Sequence, residues 1–270
     1  VSPHRALLVA VALTGVLTAV SASGCASVDQ AANVSATASP EPSPLQAGDA
    51  CPDDAAAGKQ VHFEGKMGDD LRGVELGSGE VGIVLAHEDD GSVCEWLPFG
   101  KELADKGYRV LTFDFVGNSN GVSRGPDTNQ VNQVVAAAAF LRQEGATSIV
   151  LLGASMGATA VLDSTLSMAP APTAIVALSP PARFDGLDAI DGARSIRVPL
   201  LVVVAERDQI RFPDIPDTAQ AVYNAAPTRN KKLIVVDGLE HGHNLVTKGF
   251  GPEATRQQVF SWLSTNAHAR

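Results

Sequence analysis

Apolar and polar residues follow two different rhythms along this chain. Val61-His62-Phe63-Glu64-Gly65 and Leu71-Arg72-Gly73-Val74-Glu75-Leu76 alternate, and Gly68-Asp69-Asp70 separates them. Period-two alternation puts one side of a strand in a core and the other in water, and the polar, glycine-bearing break turns the pair into an antiparallel hairpin. From Val81 onward the strands read as apolar runs instead: Val81 to Ala86, Tyr108 to Phe115, Ser148 to Leu152, Thr173 to Leu178, Val198 to Ala205 and Lys232 to Val236. Between and after them lie segments read as helices, Trp96 to Lys106, Asn129 to Glu144, Ala158 to Met168, Pro216 to Ala225 and Glu253 to Asn266. Strands apolar on both sides, alternating with helices, predict an α/β fold: a mainly parallel sheet with helices on both faces and an antiparallel hairpin at its start. In such sheets ligands sit at the carboxyl ends of the strands. There is no internal repeat.

The N-terminal region departs from both rhythms. His4 and Arg5 precede an apolar run from Ala6 to Val20, which ends in Ser21-Ala22-Ser23-Gly24-Cys25. The run is too short for the ~20 residues of a membrane-spanning helix, so residues 1–24 read as a signal peptide. Small residues leading into Cys25 resemble the lipobox of bacterial lipoproteins, with Ala22 where leucine is usual, and the resemblance implies lipidation of Cys25. Ordinary secretion with Cys25 left free is the alternative. Residues 25–50 are rich in Ala, Ser and Pro, with Pro40, Pro42 and Pro44 alternating. They carry too little apolar surface to offset the entropy of ordering and read as a flexible tether. Residues 51–270 form the remaining domain. The sequence has three cysteines; with Cys25 assigned to lipid, Cys51 and Cys94 are left as one pair, and export makes a disulfide between them the expectation over two free thiols.

The candidate chemistry centres on Gly153-Ala154-Ser155-Met156-Gly157, directly after an apolar run. A serine lifted above a sheet on a strand-to-helix turn needs strained backbone, and glycines on either side let strand and helix pass closely. Serine is a poor nucleophile near neutral pH, so a base and a group that orients that base must follow. Asp208 closes Val204-Ala205-Glu206-Arg207-Asp208, with Glu206 and Asp214 as substitutes. Gly238-Leu239-Glu240-His241-Gly242-His243 offers two candidate bases, His241 and His243, in a glycine-flanked loop.

Together with the His87 turn, the Trp96 to Tyr108 helix-strand junction and Asp114-Phe115-Val116-Gly117, these features make residues 60–266 resemble the α/β-hydrolase family. The resemblance implies that fold, a Ser155, Asp208, His241 triad, and an oxyanion hole of backbone amides from Met156 and from Glu88 or Asp89. Glu88 and Val116 replace the glycine and arginine common in the family, which makes the oxyanion loop atypical. His87 is read as structural. His87-Glu88-Asp89-Asp90 has metal-ligand residue types, but no further ligand stands near it at metal-like spacing, so no metal is expected.

The 270 residues carry a net charge of −10, which argues against nucleic acid and anionic lipid as electrostatic partners. No phosphate loop or dinucleotide fingerprint is present, so no cofactor is expected. The expectation is a serine hydrolase that cleaves a carboxylic ester or thioester through an acyl-enzyme on Ser155, exported and lipid-anchored on the extracytoplasmic side of the cell membrane. Only Ser179 to Arg197 separates two core strands, so little or no cap is expected, leaving the site open to small or surface-presented esters. The alternatives are a peptidase using the same triad and a non-catalytic envelope binding protein on this scaffold.

Overall fold

A computed structural model describes residues 46–47, 51, 58–118, 120–209 and 213–268. The expected leader, Cys25 and nearly all of the tether lie outside these residues. Eight strands form one sheet: β1 (Lys59–Glu64), β2 (Asp70–Leu76), β3 (Val81–Ala86), β4 (Arg109–Phe113), β5 (Ser148–Ala154), β6 (Ala174–Leu178), β9 (Leu200–Ala205) and β10 (Lys231–Val236). Their spatial order is β1-β2-β4-β3-β5-β6-β9-β10. The β1–β2 hairpin and the β2–β4 pairing are antiparallel, and every pairing from β4 to β10 is parallel.

The central strands are buried from end to end, and their alternate residues enter two separate cores. Val84, Ala86, Ile149, Leu151, Val202 and Val204 face one core with α2 (Gln130–Gln143), α3 (Met156–Asp163) and α5 (Ile215–Ala225). Ile83, Leu85, Val150, Leu152, Val203 and Ala205 face the other with α1 (Val93–Asp105) and α6 (Glu253–Asn266). Two covered faces explain why these strands show no alternation in sequence.

Three local differences from the sequence pattern have clear causes. α1 starts three residues before Trp96, because the Ser92 hydroxyl accepts from the Cys94 amide at 3.3 Å and caps the helix there. α3 ends at Asp163 and runs on as a 3-10 turn, Ser164–Ser167, where the hydroxyls of Ser164 and Thr165 donate back to the carbonyls of Val161 and Leu162. The segment after β6 is short but structured, with a two-residue hairpin, β7 (Arg183–Phe184) and β8 (Leu187–Asp188), and the helix α4 (Ala189–Arg194) making a small cap. Cys51 and Cys94 are disulfide-bonded with Cα atoms 5.6 Å apart, so the segment before β1 is stapled to the first turn of α1.

Candidate active site

Ser155 stands between β5 and α3 with φ 50° and ψ −119°, a conformation that L-residues rarely adopt. The turn is held tightly: the Ser155 amide donates to the Leu178 carbonyl of β6 at 2.9 Å. A Cβ on Gly153 would collide with the Gly157 carbonyl, and one on Gly157 with the carbonyls of Ala86 and His87. Both glycines are therefore required by close backbone approach. Met156, the first residue of α3, has no acceptor within its own helix for its amide, which places that N–H at a positive helix end.

Asp208 follows β9 and is fully buried. His241 lies in the loop after β10, and its Nδ1 is 2.8 Å and 3.0 Å from the two carboxylate oxygens of Asp208. A carboxylate only accepts, so Nδ1 is the donor in this contact. Nε2 is buried and has no hydrogen-bond partner. Ser155 and His241 line one cavity of about 210 Å³ with Glu88, Asp89, Asp90, Gly91, Glu95 and His243. Glu206 and Asp214, the substitute acids, are exposed.

His243 is held quite differently. Its backbone N–H donates to Glu88 Oε1 at 2.7 Å, its Nδ1 lies 3.0 Å from the same oxygen, and Glu95 Oε2 is 3.7 Å away. Burial works against its protonation, but the hydrogen bond it donates to Glu88 and the charges of both acids outweigh burial and raise its pKa. Burial also pushes Glu88 up, yet His243 holds it below its ordinary value. Glu95, buried and beside the Glu88 charge, is pushed up to about 8. This cluster clamps the loop that carries His241 to the loop after β3.

The same cluster bears on the choice between Glu88 and Asp89 as the second oxyanion donor. The Glu88 amide donates to Glu95 Oε1 at 2.9 Å, so it is committed to a carboxylate rather than open to a substrate. The adjoining peptides are positioned by two asparagines whose role sequence reasoning missed: Asn118 donates to the Asp89 carbonyl at 2.6 Å and Asn120 to the Asp90 carbonyl at 2.5 Å. Ser179, with φ 50°, was missed as well; its hydroxyl accepts from the Gly242 amide at 3.0 Å and so braces the residue after His241. Glu95 also went unnoticed, since nothing in a charged residue at the start of a helix marks it as part of a site.

His87 is structural in its contacts. Its Nε2 accepts from the Phe115 amide at 3.0 Å, and its Nδ1 meets the Glu88 carbonyl at 2.5 Å. Complete burial lowers its pKa to about 4, so the ring is neutral and ties the loop after β3 to the end of β4. A second cavity of about 220 Å³ adjoins the first at Asp89 and is walled by Phe115, Val116, Met156 and Phe184 among others.

The sequence profile of the Alpha/beta hydrolase family matches residues 83–233. No curated protein matches the chain. Among solved structures, an esterase of Pyrococcus furiosus is similar, with a TM-score of 0.65 and 22% identity over 82% of this chain and 98% of that one. An esterase of Thermogutta terrifontis superposes with a TM-score of 0.62 at 17% identity, covering 77% of this chain and 98% of its own. Est1E of Butyrivibrio proteoclasticus, solved with ferulic acid bound, gives 0.59 at 18% identity, over 76% of this chain and 99% of that one.

Proposed function

Because the chain belongs to the Alpha/beta hydrolase family, we propose that it cleaves a carboxylic ester or thioester through a covalent acyl-enzyme on Ser155. The observation that carries this reading is the constellation in one cavity: a serine in strained backbone, and beside it a histidine whose Nδ1 is held by a buried aspartate while its Nε2 has no partner. In this mechanism Nε2 takes the Ser155 hydroxyl proton as Oγ bonds to the substrate carbonyl carbon. The same proton passes to the leaving alcohol or thiol as the scissile bond breaks. Water then attacks the acyl-enzyme, giving its proton to Nε2 and freeing the acid, and Ser155 regains its proton. Asp208 keeps the ring in the required tautomer and stabilises the transient imidazolium. The Met156 amide supplies one oxyanion donor, and with the Glu88 amide committed to Glu95 the second is assigned to Asp89.

The relatives of similar structure that are esterases support the ester reading. The small cap formed by β7, β8 and α4 favours short or surface-presented acyl groups over long chains enclosed in a tunnel. Export is supported by the leader-like residues 1–24 and by the Cys51–Cys94 disulfide, a bond that persists in oxidising compartments. The reading places the protein outside the cytoplasmic membrane, anchored by lipid on Cys25. Among the described residues, no helix is long and apolar enough to cross a membrane.

One observation favours a second reading, a non-catalytic binding protein: the capture of the Glu88 amide by Glu95. A fluorophosphonate probe separates the two. Hydrolase function requires an adduct at Ser155, found by peptide mass and lost in Ser155→Ala, together with hydrolysis of a graded ester series that slows as the acyl chain lengthens. A folded protein with no adduct and no ester turnover is a binding protein.

A further inference from the structure

Glu88, Glu95 and His243 come from the loop after β3, the first turn of α1 and the loop after β10. The fold gathers one ligand-capable atom of each within 4.8 Å of the others. We propose that this cluster binds one divalent transition-metal cation of the Zn²⁺ type in the wall of the cavity shared by Ser155 and His241, and that a bound cation blocks that cavity.

The spacing carries most of the argument. His243 Nδ1 lies 3.0 Å from Glu88 Oε1 and 3.7 Å from Glu95 Oε2. Ligands about 2.0–2.1 Å from a tetrahedral Zn²⁺ stand about 3.3–3.4 Å apart, so these two separations bracket the edge that the ion needs. The third edge, between the two carboxylates, lies within 4.8 Å. The donor set also discriminates. One imidazole and two carboxylates suit a borderline cation, whereas Mg²⁺ and Ca²⁺ ask for shells of about six to eight oxygens. The carboxylates are already oriented from behind: Glu95 Oε1 accepts from the Glu88 amide at 2.9 Å, and Glu88 Oε1 accepts from the His243 amide at 2.7 Å. Outer bonds of this kind fix ligand direction in metal sites.

His241 faces the same space as the three proposed ligands. His241 is 5% exposed, lines the same cavity, and its Nε2 has no partner. A coordinated ion and its water would stand inside the cavity of about 210 Å³ that Ser155 also lines. Three protein ligands leave a tetrahedral ion one further position, which water fills. Coordination needs the Nδ1 lone pair of His243, so the proton that Nδ1 now shares with Glu88 leaves to solvent as the metal binds.

The test uses the full chain carrying Ser155→Ala, stripped with EDTA and dialysed, and titrated with Zn²⁺ in competition with a chromogenic chelator. One site is expected, with Mg²⁺ failing to bind at the same concentrations. Glu95→Gln, which keeps an acceptor for the Glu88 amide, and His243→Asn should each weaken Zn²⁺ at least about tenfold. They should also abolish the rise in Tm that Zn²⁺ causes in the parent, while an unchanged metal-free Tm shows that both variants fold. Absence of Zn²⁺ binding, binding undiminished in both variants, or a preference for Mg²⁺ would each overturn the site. In the protein with Ser155 intact, Zn²⁺ should slow fluorophosphonate labelling and EDTA should restore it. Labelling unaffected by saturating Zn²⁺ would overturn the blockade. Only this last arm rests on Ser155 as nucleophile: failure to label without metal tells against the hydrolase, and failure to bind Zn²⁺ tells against the metal site alone.

Discussion

Two carboxylate-histidine groups face the same cavity, and they are built on different principles. Asp208 and His241 form a closed pair: one fully buried acid, and one imidazole whose Nδ1 meets both carboxylate oxygens while Nε2 has no partner. Glu88, Glu95 and His243 are crowded instead, with two acids competing for one imidazole and with burial and mutual charge pushing Glu95 up to about 8. The first arrangement holds one ring nitrogen and leaves the other without a partner. The second uses the base itself as a tie between loops. Two histidines separated by one glycine thus differ in role because their neighbours differ, not because their loop does.

The comparison breaks most sharply on His241. Replacing His241 by Ala should lower kcat for a soluble ester by about three or more orders of magnitude, with little change in Tm, as for removal of a base from a serine triad. A variant within tenfold of the parent would move the base elsewhere, with His243 first in line.

The next largest effect concerns the staple beside the crowded group, since Cys94 adjoins Glu95. Opening the bridge with Cys94→Ser releases a loop of 43 residues and should cost about 4 kcal/mol in the chain-entropy account. Urea denaturation measures it; an unchanged midpoint would mean that the bridge contributes nothing to stability.

His87 lies under the crowded group and tests how firmly that side is buried. Its folded pKa of about 4 lies below the unfolded value near 6.5, so the unfolded chain binds the extra proton first. Stability from this group is complete above about pH 6.5 and is lost as pH falls towards about 4, by an amount on the order of 3 kcal/mol. Urea unfolding in EDTA at pH 7 and pH 5 should therefore show a steeper loss in the parent than in His87→Asn. Equal slopes would mean that the ring is protonated in the fold.

The smallest effect is expected at His243. His243→Ala removes the Nδ1 contact but keeps the backbone N–H to Glu88, so kcat should fall about tenfold or less. A loss equal to that of His241→Ala would erase the distinction between the two groups.

Much of this architecture can be read along the chain, because its causes are local. The uninterrupted apolar runs at Val81 to Ala86 and Leu200 to Ala205 require burial on both faces whatever surrounds them, and Gly153 and Gly157 mark a turn where backbones touch. A serine between such glycines, and an aspartate and a histidine after the later strands, follow from the order in which strands deliver their loops to one edge. Short-range hydrogen bonding already blurs the picture at the ends of elements: Ser92 extended α1, and Ser164 and Thr165 cut α3 short.

What residue types and spacing could not supply is which loop side chains meet. Glu88, Glu95 and His243 have no shared periodicity, and Glu95 is seven residues from Glu88 and 148 from His243 in the numbering of the chain. Their meeting decided that the Glu88 amide points at a carboxylate, that His243 is a tie, and that metal-ligand residue types stand within reach of one another. The reason is physical: burial of a strand depends on its own composition, whereas the direction of a loop amide or carboxylate depends on distant partners that only the completed sheet brings alongside it.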